Sequence, residues 1–478
     1  MKMGEQSLNS IGQFADDESD KAKKVTAASG SSWIVNFNNG NVNTNGKNAS
    51  YPVRAVSATE SVVYDIPFFS IYEASLECEK NKRSNKDYLR FSCTSSVILV
   101  KLWDDIRFGV WQPSLFSCFV VSHPVYREIF SADYSDTIVH HWISLRLEPI
   151  YEKRFVELGN VSKNCRKGEG SLSAVRAAEN MVRTVSCNYT KDCYLVKIDF
   201  KGFFMNMSKS ILWEMSDIYI RENYTGDDIE CLLYLLRMVV FDCPEDHCVR
   251  KSPLSMWDNI PADKSLFNSD PDKGGPLGNL TTQINANFYA SVFDYYIIVV
   301  LGIKDYIRFV DDCFFVVPTL EFARKLIPKM RTWLHEQLRI TMHPKKIYIQ
   351  HYSKGVQWVG AVVKPGRTYI SNRTVGNLYN AIHRYNKIAE DGFAEQFAEK
   401  FVATMNSYFG LMRHFQSYNL RRKVSKLIAY EWWTYVYIEG HFDKFVLKNE
   451  YKPRKIIYKQ IKKGNAKKYF TPLLCEAD

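Results

Sequence analysis

The stretch Tyr306–Val317 reads YIRFVDDCFFVV. Two adjacent aspartates, Asp311 and Asp312, interrupt an otherwise apolar and aromatic run. Val310-Asp311 reads as a turn between two short strands, which places the pair on a hairpin beside a core. Carboxylates without a counter-charge are costly in such a place, so the pair calls for a cation.

A hairpin that presents Asp311 needs a partner carboxylate. Upstream, KDCYLVKIDFKGFF (Lys191–Phe204) starts as a strand and ends at Asp199. If the two strands are sheet neighbours, their carboxylates form a hard-oxygen site of the kind magnesium takes together with substrate phosphates. Two such ions about 4 Å apart activate a 3′-hydroxyl and stabilise departing pyrophosphate. Between the strands lies KGGPLGNLTTQINANFYASVFD (Lys273–Asp294). Its glycines let backbone approach a ligand closely. An Asp-Asp pair or a glycine turn alone says little. The order Asp strand, glycine turn, Asp-Asp hairpin says much more.

The totals are compatible. The 478 residues are 46% hydrophobic and 14% aromatic, enough for two or three domains with real cores. Net charge is +11, from 63 Lys and Arg against 52 Asp and Glu, which suits a polyanionic partner. The 11 cysteines are odd in number and scattered, which argues against a disulfide framework and for a reducing, cytoplasmic setting. No apolar run is long enough to span a membrane, and the N-terminus lacks an apolar signal core.

Residues 1–32 are polar and read as a disordered leader. A helix is expected up to about Cys78, and another over SSVILVKLWDDIRFGVW with Val97, Val100, Leu102 and Ile106 near one face. SCFVVSH and YREIF read as strands, and IVHHWISLRLEPIYEKRFV as helix broken at Pro149. Helices are expected over Ile229–Val240, Leu280–Val300 and TLEFARKLIPKMRTWLHEQLRI, and a hairpin over VQWVGAVVKPGRTYI with Pro365-Gly366 at its tip. From Arg373 the chain reads as largely helical and basic. Strands and helices alternate without a βαβ period, so the fold class is α+β.

With these residues in place, the chain resembles the reverse transcriptases. DFKGFFM (Asp199–Met205) is similar to their motif A, GGPLGNLTTQ (Gly274–Gln283) to motif B and FVDD (Phe309–Asp312) to motif C. HPKK (His343–Lys346) resembles motif D, and KGVQWVG (Lys354–Gly360) the motif E primer grip, here Gly355, Val356, Trp358 and Gly360. YREIFSADYSDTIVHHWISLRLEPIYEKRFV and CRKGEGSLSAVRA resemble bacterial fingers, so the likeness covers roughly residues 66–425. It implies a right-hand polymerase fold: fingers with the start of the palm over 66–190, a palm with an antiparallel sheet over 191–365, and a mainly helical thumb over 366–440. A disordered leader, 1–65, would precede these and a basic tail, 441–478, would follow.

The resemblance also implies roles. Asp199, Asp311 and Asp312 would be catalytic and hold two Mg2+ ions. Phe204, five residues after Asp199, would be a steric gate against a ribose 2′-hydroxyl, with a plain core Phe as the alternative. Arg127 and Arg166 would hold the triphosphate of the incoming dNTP, Arg being suited to bidentate phosphate contacts, with surface ion pairs as the alternative. Leu277, Gly278 and Gln283 would line the nucleotide site, and Lys345 or Lys346 would protonate pyrophosphate.

GNLTTQ is similar to the motif B of reverse transcriptases from diversity-generating retroelements, although Thr282 stands where Ser is usual. Leu277 holds the place where many other reverse transcriptases have glutamine, and NSYFGLMRHFQSYNLRRK (Asn406–Lys423) resembles that branch's thumb. Leucine cannot make a polar positioning contact, which narrows the gap between right and wrong base pairs. The expected function is low-fidelity copying of a template RNA into cDNA, error-prone at adenines, that diversifies a target gene. The expected partners are template RNA, a DNA or RNA primer, dNTPs and a small basic accessory protein. A defence-type or group II intron-like reverse transcriptase is the alternative.

Two segments stand outside the polymerase pattern. Lys452–Lys468 has eight Lys and Arg and no acid, which reads as a nucleic-acid contact or a solvated tail, with Tyr451, Tyr458 and Tyr469 available for stacking. Seven of the 13 residues Asn36–Asn48 are asparagine, whose codons are adenine-rich. This run resembles the end of the variable domains such elements diversify, so residues 31–56 read either as translated, disordered template repeat or as an Asn-rich linker.

Overall fold

The computed structural model describes residues 63–452, apart from 81, 84, 123 and 124, and the backbone of two strands, Ser32–Asn36 and Asn41–Asn45. The chain divides into two compact units, Met1–Val359 and Gly360–Asp478.

At the centre of the first unit is a four-stranded sheet in the order Tyr306–Phe309, Asp312–Val317, Tyr194–Asp199, Tyr348–His351. Every pairing in it is antiparallel. Cys313, Phe314, Phe315, Leu195, Val196 and Ile198 are all buried, so the two central strands are apolar on both faces. The helices Ser171–Val185 and Leu320–Leu338 pack against them. The helix Leu280–Tyr295, buried along most of its length, crosses Tyr134–Glu157, and Tyr151 stacks on Phe288 with centroids 4.0 Å apart. A smaller sheet sets Phe116–Val121 antiparallel to Arg127–Ser131 and parallel to Cys248–Arg250.

The second unit holds the helices Asn372–Glu390, Ala394–Met412 and Tyr418–Ser425 around Phe401, Phe409 and Trp432. Its first hairpin, Ala361–Lys364 with Arg367–Ile370, turns at Pro365-Gly366 as the sequence implied. A second hairpin, Val436–Glu439 with Lys444–Leu447, was not expected and spans positions 440 and 441, where the thumb was expected to end and a tail to begin. Phe445 and Leu447 place it in the helical core.

This is an α+β architecture. The class is the one expected above, with a central antiparallel sheet flanked by helices in the first unit. Among the described residues no helix is long and apolar enough to cross a membrane.

Some expectations need correction. The helix Ser95–Arg107 buries Leu99, Leu102 and Ile106, spaced i, i+3, i+7, while Val97 and Val100 are exposed. Tyr134–Glu157 runs unbroken through Pro149. Proline removes one donor there, and buried Trp142, Ile143, Leu147, Ile150 and Tyr151 hold the helix on both sides. The helix from Leu280 ends at Tyr295 and continues as one wider turn, Tyr296–Val300. Ser32–Asn36 and Asn41–Asn45 pair as antiparallel strands where disorder was expected. Trp33, Ile34 and Val35 are strong strand formers, a signal that asparagine content had masked. The rest of the expected leader, most of the Asn-rich run and the basic run after Lys452 lie outside the described residues.

Candidate active site

The strand Tyr194–Asp199 pairs with Asp312–Val317 so that Asp199 stands directly opposite Asp312. Asp312 is also paired with Phe309, which leaves Val310 and Asp311 as a two-residue turn. Val310 takes left-handed backbone at φ 59°, a position where tight hairpins ordinarily use glycine. The Phe200 amide donates to the Asp311 carbonyl at 3.2 Å, and the His343 amide to the Asp199 carbonyl at 2.8 Å. Backbone bonds thus fix the ends of three elements around the three aspartates.

Burial pushes the Asp311 carboxyl up to about 6, and the neighbouring charges of Asp312 and Asp199 push in the same direction. Burial also raises Asp312, against the pull of Lys197. Lys197 Nζ lies 3.1 Å from Asp312 Oδ1, yet that oxygen lacks a partner in hydrogen-bond geometry. Lys346 Nζ bonds Asp199 Oδ2 at 2.8 Å. Partial burial pulls the Lys346 ammonium down, but Asp199, Asp311 and Asp312 outweigh this and hold it above its ordinary value. Among the described residues no three His, Cys, Asp or Glu side chains are gathered tightly enough to hold a metal ion as they stand. The chemistry still suits one: all-oxygen donors, a carboxyl raised by burial and by its neighbours, and an incompletely satisfied Asp312 oxygen. Two lysine ammonium groups fill the cationic role in this arrangement.

The glycine turn lies against the smaller sheet. The Phe130 amide donates to the Leu277 carbonyl at 2.7 Å, and the Gly275 amide to the Phe204 carbonyl at 2.7 Å. Gly278 has φ +133°, and a Cβ there would collide with the Phe130 carbonyl oxygen. Leu277 and Phe204, both partly buried, belong to one apolar cluster with Phe116, Phe130, Met205, Leu266 and Phe267. The helix beyond is anchored by a bond between buried His140 Nδ1 and Thr281 Oγ1 at 2.8 Å. Gln283 is exposed, with its amide oxygen 3.8 Å from the Cys165 thiol.

The remaining expected residues divide. Arg127 is exposed at the start of its strand. Arg166 departs from the expected role of a free finger cation. Its side chain is 2% exposed, donating to Glu152 Oε2 at 2.9 Å, to the Ser162 carbonyl at 2.7 Å and to Asn160 Oδ1 at 2.6 Å. Its planar fork is filled by protein acceptors. Lys346 reaches Asp199, whereas Lys345 is exposed and its amide bonds His343 Nδ1 at 3.2 Å. In the expected primer grip, Gly355 takes φ +78° and its carbonyl accepts the Tyr348 hydroxyl at 3.1 Å. Val356 and Trp358 are buried, the latter donating from Nε1 to the Ala174 carbonyl at 3.1 Å. Gly360, the first residue of the second unit, has φ +83° and accepts the Ser371 amide at 2.9 Å.

Sequence reasoning missed three residues that organise this region. Lys197 sits two before Asp199, on the same strand face by alternation, which is a legible signal. Arg308 is a charged residue inside an apolar strand. Glu128, fully buried, binds the Leu266 amide, Ser265 Oγ at 3.0 Å and Trp257 Nε1 at 3.2 Å, fastening the loop before the glycine turn.

No family model matches the chain, and no curated protein matches it. Among solved structures it is similar to apo telomerase from Candida tropicalis, with a TM-score of 0.39 and 12% identity over 66% of this chain and 61% of that one. It is similar also to telomerase from Candida albicans in complex with a TWJ fragment of telomeric RNA, with a TM-score of 0.40 and 10% identity over 67% of this chain and 60% of that one. A C-terminally truncated apo telomerase from Candida tropicalis gives a TM-score of 0.39 and 12% identity over 54% and 55%. The matched part is thus less than two thirds of those chains' own length.

Proposed function

We propose that this chain is an RNA-directed DNA polymerase that extends a primer with deoxynucleotides. The observation that carries the reading is the register: Asp199 opposite Asp312, with Asp311 on the adjoining turn. Magnesium, when bound, would supply the Lewis acidity that activates a 3′-hydroxyl and neutralises departing pyrophosphate. Asp199 and Asp311 are the ligands of choice, with Asp312 assisting from its contact with Lys197. Lys346, once released from Asp199, would give a proton to pyrophosphate. The Phe204 ring, packed beside the glycine turn, would exclude a 2′-hydroxyl. Arg127 remains the free candidate for the triphosphate.

The finer reading is a diversity-generating retroelement polymerase that makes adenine-directed errors in cDNA, with a small basic accessory protein as partner. It is supported by Leu277. That side chain sits in an apolar cluster with Phe130 and Phe204, where a polar contact to the nascent pair has no counterpart. The test is primer extension on an adenine-containing RNA, with the products sequenced. Extension with errors concentrated opposite adenine supports both levels. Accurate extension leaves the polymerase and removes the retroelement branch.

A further inference from the structure

Arg308 and Asp294 form an ion pair that is 0% exposed at both side chains. Arg308 Nε donates to Asp294 Oδ1 at 2.8 Å and Nη2 to Oδ2 at 2.7 Å, a bidentate fork. Tyr306 Oη donates to the same Asp294 Oδ1 at 2.7 Å. A buried pair of this kind is weak evidence for stability, since apolar replacements often do as well. The other donors of Arg308 point to its use. Nη2 reaches the Asn287 carbonyl at 3.2 Å, and Nη1 reaches the Val310 carbonyl at 3.0 Å.

Val310 is the residue before Asp311, and it is β-branched with φ 59°. That backbone region is unfavourable for valine and persists only where surrounding structure imposes it. Arg308 is well placed to impose it. Its own backbone is clamped on both sides, its amide donating to the Val161 carbonyl at 2.9 Å and its carbonyl accepting the Lys163 amide at 2.8 Å. Asp294, at the far end of the fork, belongs to the buried helix Leu280–Tyr295.

We propose that the Arg308–Asp294 pair is a positioning device for Asp311: by holding the Val310 carbonyl it keeps the turn left-handed and the Asp311 carboxylate beside Asp199 and Asp312. The inference rests on the polymerase reading for its purpose. Arg308 touches no reacting atom and acts through the turn.

The test measures Mg2+ binding by calorimetry on the full chain without nucleotide, alongside kcat and KM for dNTP in extension. Arg308→Lys keeps the charge but loses the fork. It should weaken Mg2+ binding about tenfold, in the range seen for groups that orient metal ligands, and lower kcat with KM little changed. Adding Val310→Gly should restore most of the affinity, because glycine adopts the left-handed turn without strain. A purely structural role would give no such rescue. If Arg308→Lys does not fold, the apolar pair Arg308→Met with Asp294→Leu replaces it, with the same loss and the same rescue expected. Unchanged affinity in a folded variant, or loss without rescue, overturns the proposal. A wild-type chain that neither binds Mg2+ nor extends a primer overturns the polymerase reading instead.

Discussion

Lys346 Nζ stands 2.8 Å from Asp199 Oδ2, on the carboxylate proposed to hold magnesium. The ammonium and a cation compete for one oxygen. Lys346→Met should therefore lower the half-saturating Mg2+ concentration severalfold. If Lys346 also gives a proton to pyrophosphate, the same change should slow extension by about 10²-fold, as loss of a general acid does. Mg2+ titration of extension rates reads both effects. A higher Mg2+ requirement in the variant would contradict the competition.

Gly278 has φ +133° and no room for a Cβ beside the Phe130 carbonyl. Gly278→Ala should destabilise the chain by about 2 kcal/mol or more and abolish extension, since strain and collision act together. Gly366, at φ +67° on an open hairpin tip, is the control. Gly366→Ala should cost only about 1 kcal/mol. Urea unfolding midpoints compare the two, and equal losses would speak against the close packing of the glycine turn.

Leu277 is packed beside Phe204. Leu277→Gln should reduce misincorporation opposite template adenine, at a stability cost of about 1–2 kcal/mol for placing an amide in an apolar cluster. Sequenced extension products measure the first and thermal unfolding the second. An unchanged error spectrum would remove Leu277 from the account of fidelity.

Glu214 lies on the helix Lys209–Asn223, and burial alone raises its carboxyl from an ordinary 4.5 to about 7. The folded chain therefore holds a proton that the unfolded chain releases above pH 4.5. This group's contribution to stability is full below that pH, falls as pH rises, and is lost above about 7. Glu214→Gln should flatten that slope and stabilise the chain at pH 8 by roughly 1–3 kcal/mol. Unfolding free energies at pH 5 and pH 8 decide it, and a parallel pH slope in the variant would count against the burial.

Much of this arrangement was legible because local pattern and tertiary structure agree. YIRFVDDCFFVV reads as a hairpin by its alternation and turn, and KIDF as a strand by the same rule, so the two strands were expected as neighbours through Asp199 and Asp311, while the register that sets Asp199 opposite Asp312 was not. Pro149 was misread because a proline rule is local, while the burial of Trp142 and Tyr151 on either side is not. Val97 and Val100 were misplaced because two overlapping stripes fit the same helix, and only packing chooses Leu99. Arg166 resembled a free cation because nothing in the sequence shows Glu152, Ser162 and Asn160 converging on its fork. The Arg308–Asp294 pair joins a strand to a helix through contacts that no spacing rule reveals.

The central claim is that the three aspartates extend a primer on RNA. Its most direct measurement is primer extension on an RNA template with Mg2+ and dNTPs, the wild-type chain run beside Asp311→Ala and Asp312→Ala, with and without a co-expressed accessory protein. The account predicts extension by the wild type and, for Asp311→Ala, a loss of about 10³-fold or more, as expected when a group acting in the transition state is removed. Extension by Asp311→Ala at the wild-type rate would contradict it.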